Sequence, residues 1–128
     1  HHPREIAATL TTAREMGHTR VIAVFQPHLY TRTRDLLGEF IDSLVQTDVL
    51  VVTGIYGARE EHVEGVGAEA IVDGVRHRGH NAAHYVGNRE QIPSLLAPLL
   101  KDGDGVVMMG AGDIWKSCAG LLEELERA

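Results

Sequence analysis

Cysteine, basic side chains and long apolar runs are all scarce in this chain. Cys118 is the only cysteine among 128 residues, so no internal disulfide can form and we expect a reducing, cytoplasmic compartment. The formal net charge of −6 is the opposite of the basic balance that a nucleic-acid-binding domain usually shows. No apolar run approaches the roughly 18 residues of a membrane-spanning helix, and the first residues lack the pattern of a secretory signal peptide. We therefore expect neither nucleic-acid binding nor membrane insertion.

Common catalytic motifs are missing as well. The sequence has no G-x-x-x-x-G-K-[ST] phosphate loop and no G-x-S-x-G nucleophile elbow. Its only lysines are Lys101 and Lys116. His77, His80 and His84 are spaced across a predicted helix end and no cysteine accompanies them, so we expect no metal site. These absences argue against a self-contained enzyme and predict no catalytic residue on this chain.

What the chain does contain is a regular alternation of helical and strand patterns. Hydrophobic residues make up 44% of it and charged residues 23%, which is ordinary for a globular protein, and the length fits one domain, residues 1–128. Buried strands are predicted at 20–25, 48–53, 82–86 and 104–109. Helices are predicted from Pro3 to Gly17, across 36–45, from Ala68 to Gly79, from a capping box at Asn88 to Leu100, and from Ile114 to Leu125.

This alternation predicts an α/β fold in three layers. Short strands joined by helices form right-handed crossovers, and hence a mainly parallel sheet with helices on both faces. We expect the strand order 3-2-1-4, with 2-1-3-4 as the alternative. The first order places the exits of the first and fourth strands side by side at a topological switch point, where ligands bind in such sheets.

The segment after the first strand, residues 26–34, is predicted to be a loop and holds the densest group of polar side chains. Pro27 ends the strand pattern, because proline has no N–H for a sheet ladder. Arg32 is the best candidate for binding an anionic ligand, and a surface ion pair is its alternative. His28 is either a second ligand-binding residue or a structural histidine bonded to a loop carbonyl. Tyr30 is expected mainly to pack, with its hydroxyl reaching a backbone group.

The turn after the fourth strand, Gly110-Ala111-Gly112-Asp113, invites comparison with a dinucleotide-binding fingerprint. The third glycine of that pattern would fall at Trp115, and the chain ends too soon for the acidic residue about 20 positions further on, so the fingerprint is absent. Gly110 and Gly112 either form a tight turn or let backbone N–H groups approach a ligand at a helix N-terminus. Asp113 is expected to cap that helix.

Three further sets of side chains are expected to be structural or solvated. Arg34 pairs with Asp35 or faces the solvent. The charged run at 59–62 forms a solvated loop after the second strand. Cys118 packs on the apolar stripe of the last helix.

Several motifs occur in the order that is typical of one known family. They are His1-His2-Pro3 at the start of a helix, Phe25-Gln26-Pro27-His28-Leu29-Tyr30-Thr31-Arg32-Thr33 after the first strand, Ile55-Tyr56-Gly57-Ala58-Arg59-Glu60 after the second, and Met109-Gly110-Ala111-Gly112-Asp113-Ile114 after the fourth. Over essentially the whole chain they resemble the C-terminal domain of the Mur ligases, in the branch of the UDP-N-acetylmuramate–L-alanine ligases. The motif after the first strand is the specific one.

The resemblance implies a Rossmann-like C-terminal domain whose partner domains, a UDP-binding N-terminal domain and a central ATPase domain, lie outside residues 1–128. It implies a reaction of peptidoglycan biosynthesis in which ATP and Mg²⁺ activate UDP-N-acetylmuramate as an acyl phosphate, which the amine of L-alanine then attacks. No cofactor or metal is expected on this chain alone. The residues implied in binding the amino acid are His1, His28 and Arg32 and, more weakly, Tyr30, Gly110 and Gly112.

One position departs from the family pattern. Leu29 stands where many members carry a second arginine, which either leaves Arg32 as the main partner for the alanine carboxylate or shifts part of that task to His1 or another domain. His1 and His2 are either the end of the family's Tyr-Gly-His-His-Pro segment or the remnant of a purification tag. The alternatives for the whole chain are another Mur-type ligase, such as the one that recycles murein peptides, and a non-catalytic α/β binding module.

Overall fold

The structure is a computed structural model and describes residues 2–57, 60–110 and 114–127. The strands within these residues are β1 (Arg20–Phe25), β2 (Val49–Thr53), β3 (Ala83–Val86) and β4 (Asp104–Met109). The helices are α1 (Pro3–Glu15), α2 (Tyr30–Asp35), α3 (Leu37–Leu44), α4 (Glu69–His77), α5 (Ile92–Leu96) and α6 (Ser117–Arg127). Short 3-10 turns cover Arg89–Gln91, Ala97–Leu99 and Ile114–Lys116.

The strands form one parallel sheet in the order β3-β2-β1-β4. The predicted order 3-2-1-4 is therefore confirmed, and the alternative 2-1-3-4 is wrong. At the carboxyl end of β1, Phe25 pairs with Val52 of β2 on one side and with Met109 of β4 on the other. The exits of β1 and β4 thus lie next to each other at the point where the strand order reverses, which is the usual place for a ligand in such a sheet.

The core lies on both faces of the sheet, because successive side chains of a strand point to opposite sides. Val21, Ala23 and Phe25 of β1 pack in one cluster with α1, α3 and α4. Ile22 and Val24 pack on the other face with α5 and α6. All five side chains are at most 1% exposed. The predicted three-layer α/β/α architecture is confirmed.

The segment 88–100 is not the continuous helix that the sequence predicted. Asn88 does cap its start, since its side chain accepts a hydrogen bond from the N–H of Glu90 at 2.9 Å. The α-helical part, however, is only Ile92–Leu96, and 3-10 turns flank it. Pro98 accounts for the break, because it lacks an N–H and its ring clashes with the carbonyl four residues earlier in an α-helix.

The last helix turns a narrower face to the core than its apolar pattern predicted. Ser117 and Leu121 are buried, whereas Leu122 is 60% exposed and Cys118 is also exposed. The prediction that Cys118 packs in the interior is therefore wrong. Neighbouring helical positions are rotated by about 100°, so Cys118 falls beside the buried 117/121 stripe, where its Sγ lies 3.2 Å from Sδ of Met108.

Charged groups at the amino edge of the sheet are paired with one another. Arg20 donates from Nε and Nη2 to the two carboxylate oxygens of Asp104 at 2.9 and 2.7 Å. The hydrogen bond from Arg20 holds the pKa of Asp104 below its ordinary value. Across the same edge, Asp48 accepts a hydrogen bond from the N–H of Val21 at 2.7 Å.

Within the described part of the chain, none of the helices has the length and apolar content needed to cross a membrane.

Candidate functional site

The chain that leaves β1 stays hydrogen-bonded to its two neighbours as far as Leu29. Gln26 donates its N–H to the carbonyl of Met109 at 2.9 Å. On the other side, Tyr56 donates its N–H to the carbonyl of Pro27 at 2.8 Å and accepts one from the N–H of Leu29 at 3.0 Å. The segment therefore runs out over the carboxyl edge of the sheet, between the exits of β4 and β2, instead of ending at the proline.

A helix begins at Tyr30, inside the segment that the sequence predicted to be a loop. Arg32 and Arg34 therefore both lie on α2. The sequence had placed Arg32 in a loop and Arg34 at the start of the following helix. Two helical positions are about 200° apart, so the two side chains diverge. Arg34 donates from Nε to Oδ1 of Asp35 at 2.8 Å, which confirms one of the two predicted outcomes for that residue.

Arg32 meets His28, and the two form the centre of the candidate site. Nη1 of Arg32 lies 3.4 Å from Nδ1 of His28. Because a guanidinium group can only donate, this contact is favourable when Nδ1 of His28 carries no proton. The ring of His28 also stacks on that of Tyr56, with centroids 5.9 Å apart and planes inclined by 20°.

The charge of Arg32 faces no carboxylate in the described part of the chain. Arg34 and Asp35, which lie two and three positions further along α2, pair with each other, and none of the ion pairs between described residues includes Arg32. The side chain is only partly exposed. The alternative of a surface ion pair thus has no partner among these residues, and the anion-binding role of Arg32 stays a prediction.

Burial is the main reason why the pKa of His28 lies below its ordinary value of 6.5, and the charge of Arg32 is the next. We expect the ring to titrate below pH 6.5 in NMR spectra of this chain. Arg32→Ala should raise that midpoint without restoring the ordinary value, because burial persists. Arg34→Ala, on the same helix but paired with Asp35, should leave it unchanged. A midpoint at or above 6.5 in the unaltered chain would contradict this assignment.

Tyr30 lies between the two members of this centre in the chain, and its described ring contacts are with other residues. Its ring meets that of His62 edge-on, with centroids 5.1 Å apart, and lines a cleft of about 250 Å³ together with Glu69 and Tyr85. A Cβ atom at Gly57 would come within 2.8 Å of Cε2 of Tyr30, so glycine is required for this close approach. The described contacts of Tyr30 are packing contacts. Its predicted role in binding the amino acid stays a prediction.

The glycine turn after β4 lies where the strand order placed it. A Cβ atom at Gly110 would come 3.0 Å from Cβ of Gln26, so the first residue of the turn touches the first residue after β1. Gly112, Asp113 and the N-terminal His1 lie outside the described residues. Their predicted roles, and a ligand-binding role for Gly110, stay predictions.

Glu60 is the residue that the sequence analysis missed. Its carboxylate accepts hydrogen bonds from the N–H of Thr31 at 3.0 Å and from Oγ1 of Thr31 at 2.6 Å. The hydroxyl contact is the main reason why the pKa of Glu60 lies below its ordinary value. The prediction of a solvated charge run is wrong at this position, although Glu61 and His62 are exposed as predicted; position 59 lies outside the described residues. No local pattern signals a contact between residues 29 positions apart.

The histidines considered for a metal site are structural where their contacts are described. His80 lies 2.7 Å through Nε2 from the carbonyl of Thr47 and accepts the N–H of Ala82 on Nδ1 at 3.1 Å. Both ring nitrogens are thereby used, one in bonding the α4–β3 connection to the turn before β2 and the other within that connection. The described residues include no group of three histidine, cysteine, aspartate or glutamate side chains that could hold a metal ion.

Comparison with known proteins matches residues 1–112 to the family described as Mur ligase, glutamate ligase domain. The chain belongs to this Mur ligase family. The resemblance read from the four sequence motifs is thereby confirmed. The match includes the exits of β1 and β2, which supply the residues of the candidate site.

Two curated relatives of this Mur ligase domain carry the same name. The UDP-N-acetylmuramate–L-alanine ligases of Salinibacter ruber and Myxococcus xanthus are 45% and 46% identical to it over 98% of the chain. The match covers 27% and 26% of those relatives, so the chain spans about a quarter of their length. A crystal structure of a domain from a Haemophilus ducreyi ligase, named for UDP-N-acetylmuramate and L-alanyl-γ-D-glutamyl-meso-diaminopimelate, superposes with a TM-score of 0.70 over 98% of this chain and 85% of that domain. At 21% identity, it supports the fold alone.

Proposed function

We propose that this domain binds L-alanine for an ATP-dependent ligase that joins the amino acid to UDP-N-acetylmuramate in peptidoglycan biosynthesis, in the cytoplasm. The observation that carries the proposal is the identity of 44–46% to ligases of that name over nearly the whole chain. The site supports it, because Arg32 lies at the switch point of the sheet without a carboxylate partner among the described residues.

In this proposal the domain contributes binding and orientation. Arg32 forms a charge-assisted pair with the carboxylate of L-alanine. The lowered pKa of His28 favours its neutral form, which adds no charge that would attract the carboxylate away from the guanidinium. A substrate anchored by its carboxylate keeps its amine free to point at the activated muramate carboxylate, the acyl phosphate of the family reaction. Holding the two reacting groups in one geometry accelerates the reaction without any proton transfer by this chain.

We place ATP and Mg²⁺ on the parts of the complete protein outside this chain. When bound there, ATP supplies the phosphoryl group that activates the muramate carboxylate. The described residues offer no cluster of metal-ligating side chains, so no ligand of Mg²⁺ is assigned to them. Catalysis by residues 1–128 alone is not expected.

The test uses the complete protein with ATP, Mg²⁺ and UDP-N-acetylmuramate. L-alanine and the tripeptide L-alanyl-γ-D-glutamyl-meso-diaminopimelate are supplied in separate reactions, and the product mass and phosphate release are measured. We expect ligation of L-alanine and no ligation of the tripeptide. Preference for the tripeptide would assign the chain to a murein-peptide ligase, and ligation or ATP hydrolysis by residues 1–128 alone would contradict the division of labour between domains.

A further inference from the structure

The turn that leads into α2 contains a strained residue. Leu29 has φ of 69° and ψ of 134°, and it is the only residue other than glycine with positive φ in the described part of the chain. A side chain at positive φ is disfavoured because Cβ crowds the backbone carbonyl. Such a conformation persists only where the surroundings hold it, and strain of this kind is concentrated at functional sites.

Contacts on both sides hold Leu29 in place. Its N–H donates to the carbonyl of Tyr56 at 3.0 Å, in the segment that follows β2. Its carbonyl accepts the N–H of Thr33 at 3.1 Å and Oγ1 of Thr33 at 2.9 Å. The side chain of Thr33 is 2% exposed. The strained turn is therefore clamped between the exit of β2 and the first turn of α2.

The α2 helix also needs help from outside its own sequence. It has six residues, and its N-cap residue, Leu29, supplies no side-chain hydrogen bond. Its end continues into α3, because Leu36 donates its N–H to the carbonyl of Arg32 and accepts the N–H of Phe40, both at 2.9 Å. The N–H groups of its first turn, by contrast, need partners from elsewhere. Glu60, which lies in the loop after β2, caps the helix instead, because its carboxylate accepts two hydrogen bonds from Thr31. An N–H at the first turn is thereby satisfied, and a negative charge lies at the positive end of the helix.

We propose that Glu60 is a positioning residue of the amino-acid site, which holds the start of α2 and thereby directs Arg32 toward the substrate carboxylate. Glu60 acts on Thr31, one residue before Arg32 in the chain, and the clamp at Leu29 lies directly after His28. The segment after β2 therefore restrains Leu29, which follows His28, and Thr31, which precedes Arg32. The proposal rests on the proposed function, since it assumes that Arg32 binds L-alanine.

The first test compares three variants of the complete ligase. We expect Glu60→Ala to raise the KM for L-alanine about ten- to a hundredfold, as small displacements of a positioning group do, with the KM for ATP and for UDP-N-acetylmuramate nearly unchanged. Glu60→Gln should restore much of the loss, because its amide oxygen still accepts the N–H of Thr31. Glu61→Ala is the matched control: this neighbouring acid is exposed, and its loss should change none of the three constants.

A second measurement separates this proposal from the proposed function. Amide hydrogen exchange of Thr31 in the 128-residue chain should be faster in Glu60→Ala than in the unaltered chain, whichever amino acid the ligase uses. Thr31→Val, which keeps the N–H but removes the hydroxyl, serves if Glu60→Ala does not fold, and it should raise the KM for L-alanine in the same direction. If the unaltered ligase does not use L-alanine, the proposed function is wrong. The exchange rate of Thr31 still tests whether Glu60 caps α2.

Two results would overturn the positioning role. One is an unchanged exchange rate of Thr31 when Glu60 is replaced. The other is a parallel loss of affinity for all three substrates together with a lower melting temperature, without rescue by Glu60→Gln, since that pattern is what a purely structural residue produces.

Discussion

Arg32→Ala in the complete ligase is expected to lower kcat/KM for L-alanine by about 30- to 1000-fold, which corresponds to about 2–4 kcal/mol of transition-state stabilisation. The substitution removes a charged partner, and a carboxylate that enters the site without it stays unpaired. Within the described residues no other ion-pair partner competes for this guanidinium. Steady-state kinetics with varied L-alanine at saturating ATP and UDP-N-acetylmuramate measure the effect.

Two variants give this prediction its controls. Arg34→Ala removes a guanidinium from the same helix, but one that is already paired with Asp35, so we expect little change in kinetics. Arg32→Lys keeps the charge and loses the planar fork that pairs with a carboxylate, and its activity should fall between those of the unaltered enzyme and the alanine variant. If KM and kcat for L-alanine are both unchanged in Arg32→Ala, the assignment of this residue is wrong.

Phe40→Ala is expected to lower the free energy of unfolding of the chain by about 3–5 kcal/mol, the usual cost of deleting a buried aromatic ring. The side chain is fully buried, and its ring lies 5.4 Å from that of Phe25, centroid to centroid. Because a domain of this size is stable by only about 5–15 kcal/mol, the loss is a large fraction of the whole. Urea unfolding monitored by circular dichroism measures it.

The matched control is a substitution of an apolar side chain that lies outside the core. Leu122 on α6 is 60% exposed, so Leu122→Ala should change the free energy of unfolding by no more than about 0.5 kcal/mol. Phe40→Leu keeps part of the buried volume and should lie between the two. A cost below about 1 kcal/mol for Phe40→Ala would mean that the ring is not packed as described.

The fold was predictable in large part because its strands are buried on both faces. An apolar run such as Val21–Phe25 has few alternatives to a central parallel strand, and its bounds were predicted correctly. Parallel strands joined by helices then allow few strand orders, of which the structure has the expected one. Helix boundaries were less predictable, since the break near Pro98 and the early start at Tyr30 depend on local hydrogen bonds that periodicity does not report.

The candidate site was predictable in its chemistry and less so in its geometry. Arg32 and His28 were identified because their types are unusual at a strand exit, and the structure brings them to within 3.4 Å. Their support was not identified. Tyr56 and Glu60 lie on the neighbouring strand exit, and each looked like a loop residue as long as its contacts were unknown.

The sequence by itself determined the α/β class and membership of the Mur ligase family, because periodicity, strand length and motif order are properties of the chain read in one dimension. It left two strand orders open, and the tertiary structure decided between them. Only the tertiary structure decided how the site is held. Glu60 reaches Thr31 across 29 positions, and Leu29 keeps a strained backbone because Tyr56 and Thr33 bond to it from both sides. Such contacts arise when parallel pairing brings two strand exits together, and their energy depends on distances in space that no local pattern encodes.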